Sequence, residues 1–197
     1  MRVVLVFLFQ VILITAFTGN SSPSSESHAV NLLAAKLLIQ QSRYDQATNK
    51  LEVILEAEPN QPDALMFTGT IYLYHELDHL KAMKWFEMSL KLGGRAAFLV
   101  QHSHESLGGS QLADYCRGWL ILRGKEIEFT PDNGTHGFSV SRSELQEFKQ
   151  NRRLQSMFHI RLKDDNFNFR PSTGQEDEVL LIVAMYKKLS QSTEGNQ

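Results

Sequence analysis

Cysteine is almost missing from this chain. Cys116 stands alone among 197 residues, which excludes an intramolecular disulfide framework and any zinc site built from several thiolates. An excess of charge of either sign is missing too. Twenty Lys and Arg face 22 Asp and Glu, a net charge of -2, which implies no bulk attraction to nucleic acid, since that normally needs a strongly basic face. Gly108-Gly109 offers a flexible loop, but no glycine pattern resembles a phosphate cradle. What remains is a chain with 42% hydrophobic and 21% charged residues, suited to one or two small globular domains.

The N-terminus has the layout of a secretory signal. Arg2 precedes an apolar stretch from Val3 to Phe17, broken by Gln10, and a Ser-rich run follows from Gly19 to Ser27. A spanning helix needs roughly 20 apolar residues, so a removed signal is preferred. Ala16-Phe17-Thr18 lacks a small-x-small cleavage pair ending in alanine, which keeps an outward-facing membrane anchor through residues 3–17 as the alternative. No cysteine follows the apolar run to accept a bacterial lipid. Asn20-Ser21-Ser22 and Asn133-Gly134-Thr135 have the form of glycosylation acceptors.

Beyond this segment the chain matches itself. Tyr44-Asp45-Gln46-Ala47 through Glu58-Pro59 recurs about 35 residues later as His79-Leu80-Lys81-Ala82 through Gly93-Gly94. Each copy begins with a helix carrying a small residue at the contact (Ala35, then Gly69), turns, and packs a second helix through Ala47/Ala82, Leu51/Phe86 and Leu55/Leu90. Leu65, Gly69, Tyr72, Ala82, Phe86 and Leu90 in the second copy, and Ala35, Leu38, Tyr44, Ala47, Leu51 and Pro59 in the first, resemble the packing positions of the tetratricopeptide repeat. Asn31 and Gly94 depart from that pattern, and the second inter-helix turn is one residue longer. The resemblance implies a module that binds peptides or domains without chemistry. Two such hairpins bury too little alone, so another element must cap them.

After Gly93-Gly94 the hydrophobic period changes to two, which announces strands. Alternation predicts strands over Ala97–His104, Gly118–Leu122, Glu126–Thr130, Gly137–Val140, Leu145–Lys149, Phe158–Lys163 and Phe167–Arg170. Asp132-Asn133-Gly134 marks a tight hairpin, and Asp164-Asp165-Asn166 another reversal. Glu176 to Leu189 closes the chain as an amphipathic helix with Val179, Leu180, Val183, Tyr186 and Leu189 on one face. Seven strands and a terminal helix, with Cys116-Arg117-Gly118-Trp119-Leu120, Ile127-Glu128-Phe129 and Phe158-His159-Ile160, look like a pleckstrin-homology or GRAM-like barrel, similar to domains of exported bacterial repeat proteins. The expected fold is therefore α+β: a signal segment at 1–27, two helical hairpins over 28–94, a seven-stranded barrel with its helix over 95–190, and a disordered tail at 191–197.

Three groups of residues invite chemistry. His75-Glu76-Leu77-Asp78-His79 matches the H-E-x-x-H pattern in which two histidines on one helix face ligate zinc and the glutamate activates water. The repeat register instead puts a helix end, a turn and a helix start across this segment. His102 and His104 share a strand face and, with Cys116 on a neighbouring strand, have the ligand types of a metal site. Lys149, Arg152 and Arg153, with Arg142, Arg161 and Lys163, form a basic concentration that is read first as a solvated loop, with acidic lipid headgroups or an acidic partner as the alternative.

The preferred reading needs no cofactor and no metal. First-helix residues Lys36, Ile39, Gln40, Met66, Thr70, Leu73 and Tyr74 line a concave groove that binds a protein or peptide ligand at the cell envelope, in the periplasm or outside the cell. The alternative is a zinc-dependent hydrolase built on His75, Glu76 and His79.

Overall fold

Helices α1 (Ser25–Gln40), α2 (Tyr44–Ala57), α3 (Pro62–Tyr74) and α4 (His79–Lys91) come first. Seven strands follow: β1 (Arg95–His104), β2 (Asp114–Arg123), β3 (Glu126–Pro131), β4 (Phe138–Ser141), β5 (Glu147–Gln150), β6 (Phe158–Arg161) and β7 (Asn166–Pro171), and α5 (Glu176–Glu194) ends the order. The computed structural model describes residues 25–104 and 114–194. The signal or anchor segment, the Asn20 acceptor and the Gly108-Gly109 loop lie outside the described residues. Among the described residues no helix is long and apolar enough to cross a membrane.

Helices α3 and α4 start where a side chain satisfies the first turn. The Gln61 side chain accepts the Ala64 N–H at 2.6 Å, ahead of Pro62 at the head of α3, and the Asp78 carboxylate accepts the Lys81 N–H at 2.9 Å at the head of α4. Small residues set the contacts: Ala35, Ala47 and Ala64 are fully buried with Leu51, Ile54 and Ile71 between α1, α2 and α3. At Gly69 a Cβ would stand 2.8 Å from the Phe86 ring, so only glycine lets α3 and α4 approach this closely. The α3–α4 connection, His75 to Asp78, is one residue longer than Gln41 to Arg43, and Leu77 within it has φ of 54°.

The sheet is antiparallel throughout, in the order β4-β3-β2-β1-β7-β6-β5. β1 pairs with β2 along its whole length, from Arg95↔Arg123 to His104↔Asp114, but with β7 only over Val100 to Ser103. The expected barrel is corrected to an open sheet. β4 and β5 are its edges, each four residues long and joined through a 3-10 turn at Arg142–Glu144, and α5 packs on β5. The β3–β4 connection is also wider than a two-residue hairpin, running from Asp132 to Gly137 with positive φ at Gly134 and His136.

One core spans the helical and sheet halves. Leu73, Ala82 and Phe86 join Ala96, Phe98, Leu120, Ile127, Phe129 and Phe169, with the Phe86 and Phe98 rings edge to face at 5.1 Å. α5 adds to this core, its Tyr186 ring stacked on Phe148 at 4.2 Å, and Lys188 pairs with Glu87 of α4. The expected apolar face of α5 needs adjustment. Leu180 is 48% exposed, whereas Ile182 and Met185 are fully buried, and the helix continues to Glu194, into the expected tail.

Candidate functional site

The last turns of α1 bring Lys36, Ile39 and Gln40 to one face, as positions three and four apart on a helix must be. Met66, Phe67 and Thr70 of α3 face them, and the sheet supplies the far wall through Arg95, Ala97, Trp119, Ile121 and Thr130. Between these walls lies a cleft of about 180 Å³. Its lining is mainly apolar. Trp119 and Ile121 share one side of β2 beside Ala97 of β1, whose register partner is Ile121.

The polar groups sit in defined states. Lys36 is exposed and makes no ion pair among the described residues. Arg95 Nη2 lies 3.0 Å from Asp63 Oδ1, so its charge is partly engaged. The Thr70 hydroxyl donates to the Met66 carbonyl at 3.0 Å and is already satisfied. The cleft therefore offers apolar surface together with cationic and amide groups.

Five of the seven residues expected to line a groove, Lys36, Ile39, Gln40, Met66 and Thr70, are brought together here. Leu73 and Tyr74 are not. They lie on the same side of α3 one turn further on, where β1 rests directly on the helix and closes the groove. Leu73 is fully buried in the shared core. Tyr74 donates to Glu178 Oε1 at 2.8 Å and accepts the Leu99 N–H at 2.7 Å. Burial raises both the Tyr74 phenol and the Glu178 carboxyl above their ordinary values; at Glu178 hydrogen bonds from Thr173 and Tyr74 act in the opposite direction.

The sheet wall is what the sequence reading missed. Its signal was present: Trp119, Leu120, Ile121 and Leu122 are consecutive apolar residues, and a strand that is apolar on both faces must be covered on both.

The other candidate groups resolve differently. In the H-E-x-x-H segment His75 caps the end of α3, its ring stacked on Tyr44 at 4.7 Å, and His79 opens α4 beyond the Leu77 turn. The two imidazoles do not share a helix face. Asp78 is committed to the α4 cap, and the Lys81 N–H holds its carboxyl below the usual range. Among the described residues no three His, Cys, Asp or Glu side chains converge to hold a metal.

His102 and Cys116 are direct partners across β1 and β2, with Nδ1 and Sγ 3.7 Å apart. Both are buried, and the rings of Phe129, Phe167 and Phe169 lie 5.1 to 5.9 Å from the imidazole. The side chain of His104 lies outside the described residues. Part of the basic group is paired. Lys149 and Arg161 both turn to Glu147, at 2.8 and 3.7 Å, and Lys149 foremost holds that carboxyl low.

No protein-family model matches this chain, and no curated protein matches it. Similar solved structures include the N-terminal PH domain of human ARAP2, 14% identical, with 53% of this chain and 86% of that one covered at a TM-score of 0.38. Another is the C-terminal domain of an unknown protein from Leishmania infantum, 11% identical, with 46% and 80% covered at a TM-score of 0.34. At such scores these likenesses say nothing about what the chain binds. The α+β architecture stands on its own strand order and helices.

Proposed function

We propose that this chain is a non-catalytic scaffold that captures a peptide or protein segment in the cleft between α1, α3 and the sheet. The observation that carries the reading is the convergence of Lys36, Ile39, Gln40, Met66 and Thr70 with Trp119, Ile121 and Arg95 around one mainly apolar space. An apolar side chain fully buried there contributes about 1.5–3 kcal/mol, and Lys36, Gln40 and Arg95 near the rim set the register of the rest of the ligand.

The helical pairs are read as tetratricopeptide-like, supported by the internal match and by Ala35, Gly69 and Ala82 at the helix contacts. The sheet with α5 is read as pleckstrin-homology-like, supported by seven antiparallel strands in a linear order and a terminal helix against the core. Export to the cell envelope, or anchoring there, belongs to the same reading. It is supported by Arg2 and the apolar residues 3–17, and N-terminal sequencing of the recovered protein tests it. The zinc-hydrolase alternative gains nothing from histidines on either side of a helix break.

The decisive experiment places a photoreactive side chain at Gln40, on the cleft, or at Leu180, on the exposed side of α5. Crosslinks to a defined ligand segment at position 40, absent at 180 and lost in Ile39→Asp, are expected. Equal crosslinking at both positions would refute the cleft as the binding site.

A further inference from the structure

The side of α3 turned away from the cleft looks into a second groove, of about 690 Å³, walled by α2 and α4. Its floor is apolar and aromatic. Leu55 and Ile71 lie beside the Tyr72 and Trp85 rings, which stack at 6.5 Å with only 9° between their planes. Its rim is acidic: Glu52 and Glu56 stand one turn apart on α2, and Glu76 follows the end of α3. Glu52 and Glu56 make no ion pair among the described residues, and both are exposed.

The groove already holds one cation of the chain's own. The Lys81 ammonium lies 5.2 Å over the centre of the Tyr72 ring, 3.3 Å from Asp78. The aromatic floor thus accepts a cation through its negative face. Glu76 lies 3.6 Å from the His75 imidazole, but Glu52 and Glu56 have no basic partner among the described residues, so this surface is complementary to positive charge carried on an apolar body.

All its walls are helical. No strand edge is exposed along it, so an extended peptide would find no backbone ladder to join, whereas a helix satisfies its own backbone groups. Glu52 and Glu56 are separated by about 6 Å along the α2 axis, the rise of four helical residues, which is also the spacing of basic residues four apart on a partner helix.

We infer that the α2/α3/α4 groove docks a basic amphipathic helix of a partner protein. Its apolar residues rest on Tyr72 and Trp85, and lysines or arginines four apart pair with Glu52 and Glu56. The site is separate from the cleft, on the other side of α3, so the chain holds two ligands at once.

The chain's two tryptophans divide between the two sites, Trp85 in this groove and Trp119 in the cleft. In the full chain carrying Trp119→Phe, Trp85 fluorescence therefore reports the groove alone. The probe is a helical peptide of about 18 residues with lysines four apart on one face and leucines on the other. A saturable change at one peptide per chain is expected, weakening as salt rises from about 0.05 to 0.5 M. Glu52→Gln with Glu56→Gln should weaken it about tenfold, and a peptide with glutamates in place of the lysines should give no response.

If Trp119→Phe fails to fold, the Trp85 indole N–H resonance of the unaltered chain reads the same titration. Absence of a saturable response, binding indifferent to the Glu52/Glu56 pair, or equal binding of the acidic peptide overturns the inference. A response of Trp119 alone, read in Trp85→Phe, moves the peptide to the cleft and overturns it while leaving the proposed function standing. Self-association of the chain abolished by the same glutamate changes would assign the groove to a second copy and also overturn it.

Discussion

The Tyr74 hydroxyl donates to Glu178 at 2.8 Å and accepts the Leu99 N–H at 2.7 Å, joining the last turn of α3 to the first turn of α5 across β1. Leu99 lies just before the stretch of β1 that pairs with β7, so the phenol takes a backbone donor that the sheet leaves over. Thr173 donates to the other carboxylate oxygen at 2.5 Å. The helical half and the sheet are thereby fastened by partly buried polar bonds as well as by the Phe86–Phe98 contact.

Tyr74→Phe removes both bonds and leaves the Leu99 N–H without its acceptor. Such a buried loss costs about 1–3 kcal/mol. Urea denaturation should show a lower midpoint with an unchanged slope, and a midpoint equal to wild type would mean that water or rearrangement replaces the phenol without cost.

Glu178 makes stability depend on pH in a definite direction. Burial raises its folded-state pKa above the unfolded value of about 4.3. The folded chain then keeps a proton that the unfolded chain has released, so stability is greatest below the unfolded pKa and falls as pH rises through the raised one. Glu178→Gln removes this slope while keeping an acceptor for Tyr74. The melting temperature of Glu178→Gln relative to wild type should therefore climb from about pH 4 to pH 8. Asp78 and Glu147, whose carboxyls are held low, act with the opposite sign but are common to both proteins and cancel in the difference. A constant difference across the range would rule out Glu178 as the source.

Gly69→Ala inserts a Cβ 2.8 Å from the Phe86 ring. Overpacking of this kind costs about 1–3 kcal/mol. Phe86→Leu by itself also destabilises, but the double variant should lose less than the sum, and a double-mutant cycle measures the coupling. Strict additivity would show that α3 and α4 separate without resistance. Ala82→Asp, a charge placed at a fully buried position of the same contact, should unfold the helical half, while exposed Glu76→Gln leaves stability unchanged.

Metal removal should leave the protein as it was. His75 and His79 flank a turn instead of sharing a helix face, so melting temperatures with and without chelator should coincide, because no metal-linked folding energy is lost. Stoichiometric zinc that disappears in His75→Ala with His79→Ala would replace the scaffold reading with the hydrolase.

Much of the architecture was legible because it rests on local periods. The spacing of Ala47, Leu51 and Leu55, repeated at Ala82, Phe86 and Leu90, located α2 and α4, and alternation located every strand to within a few residues. Within α5 periodicity went astray at Leu180. Every position from Val179 to Val183 is apolar, so the buried stripe is decided by which neighbours arrive, and Ile182 and Met185 enter the shared core instead.

The site was half legible for the same reason. Lys36, Ile39, Gln40, Met66 and Thr70 share a helical side that the repeat register identifies, and the structure assembles them. Leu73 and Tyr74 fit that register equally well. Nothing local separates a side chain at the mouth of a groove from one beneath a strand that enters 25 residues later in the chain.

The sequence by itself determined the elements, their order and the chemistry of their faces, because helix and strand periods depend on neighbours a few bonds apart. Only the tertiary structure decided that the sheet stays open, that β1 ends the groove at Leu73, that Trp119 and Ile121 complete its wall, and that Tyr74 meets Glu178. Each of these depends on which surfaces, distant in the chain, exclude water from one another, and that is a property of the whole packing, not of any segment.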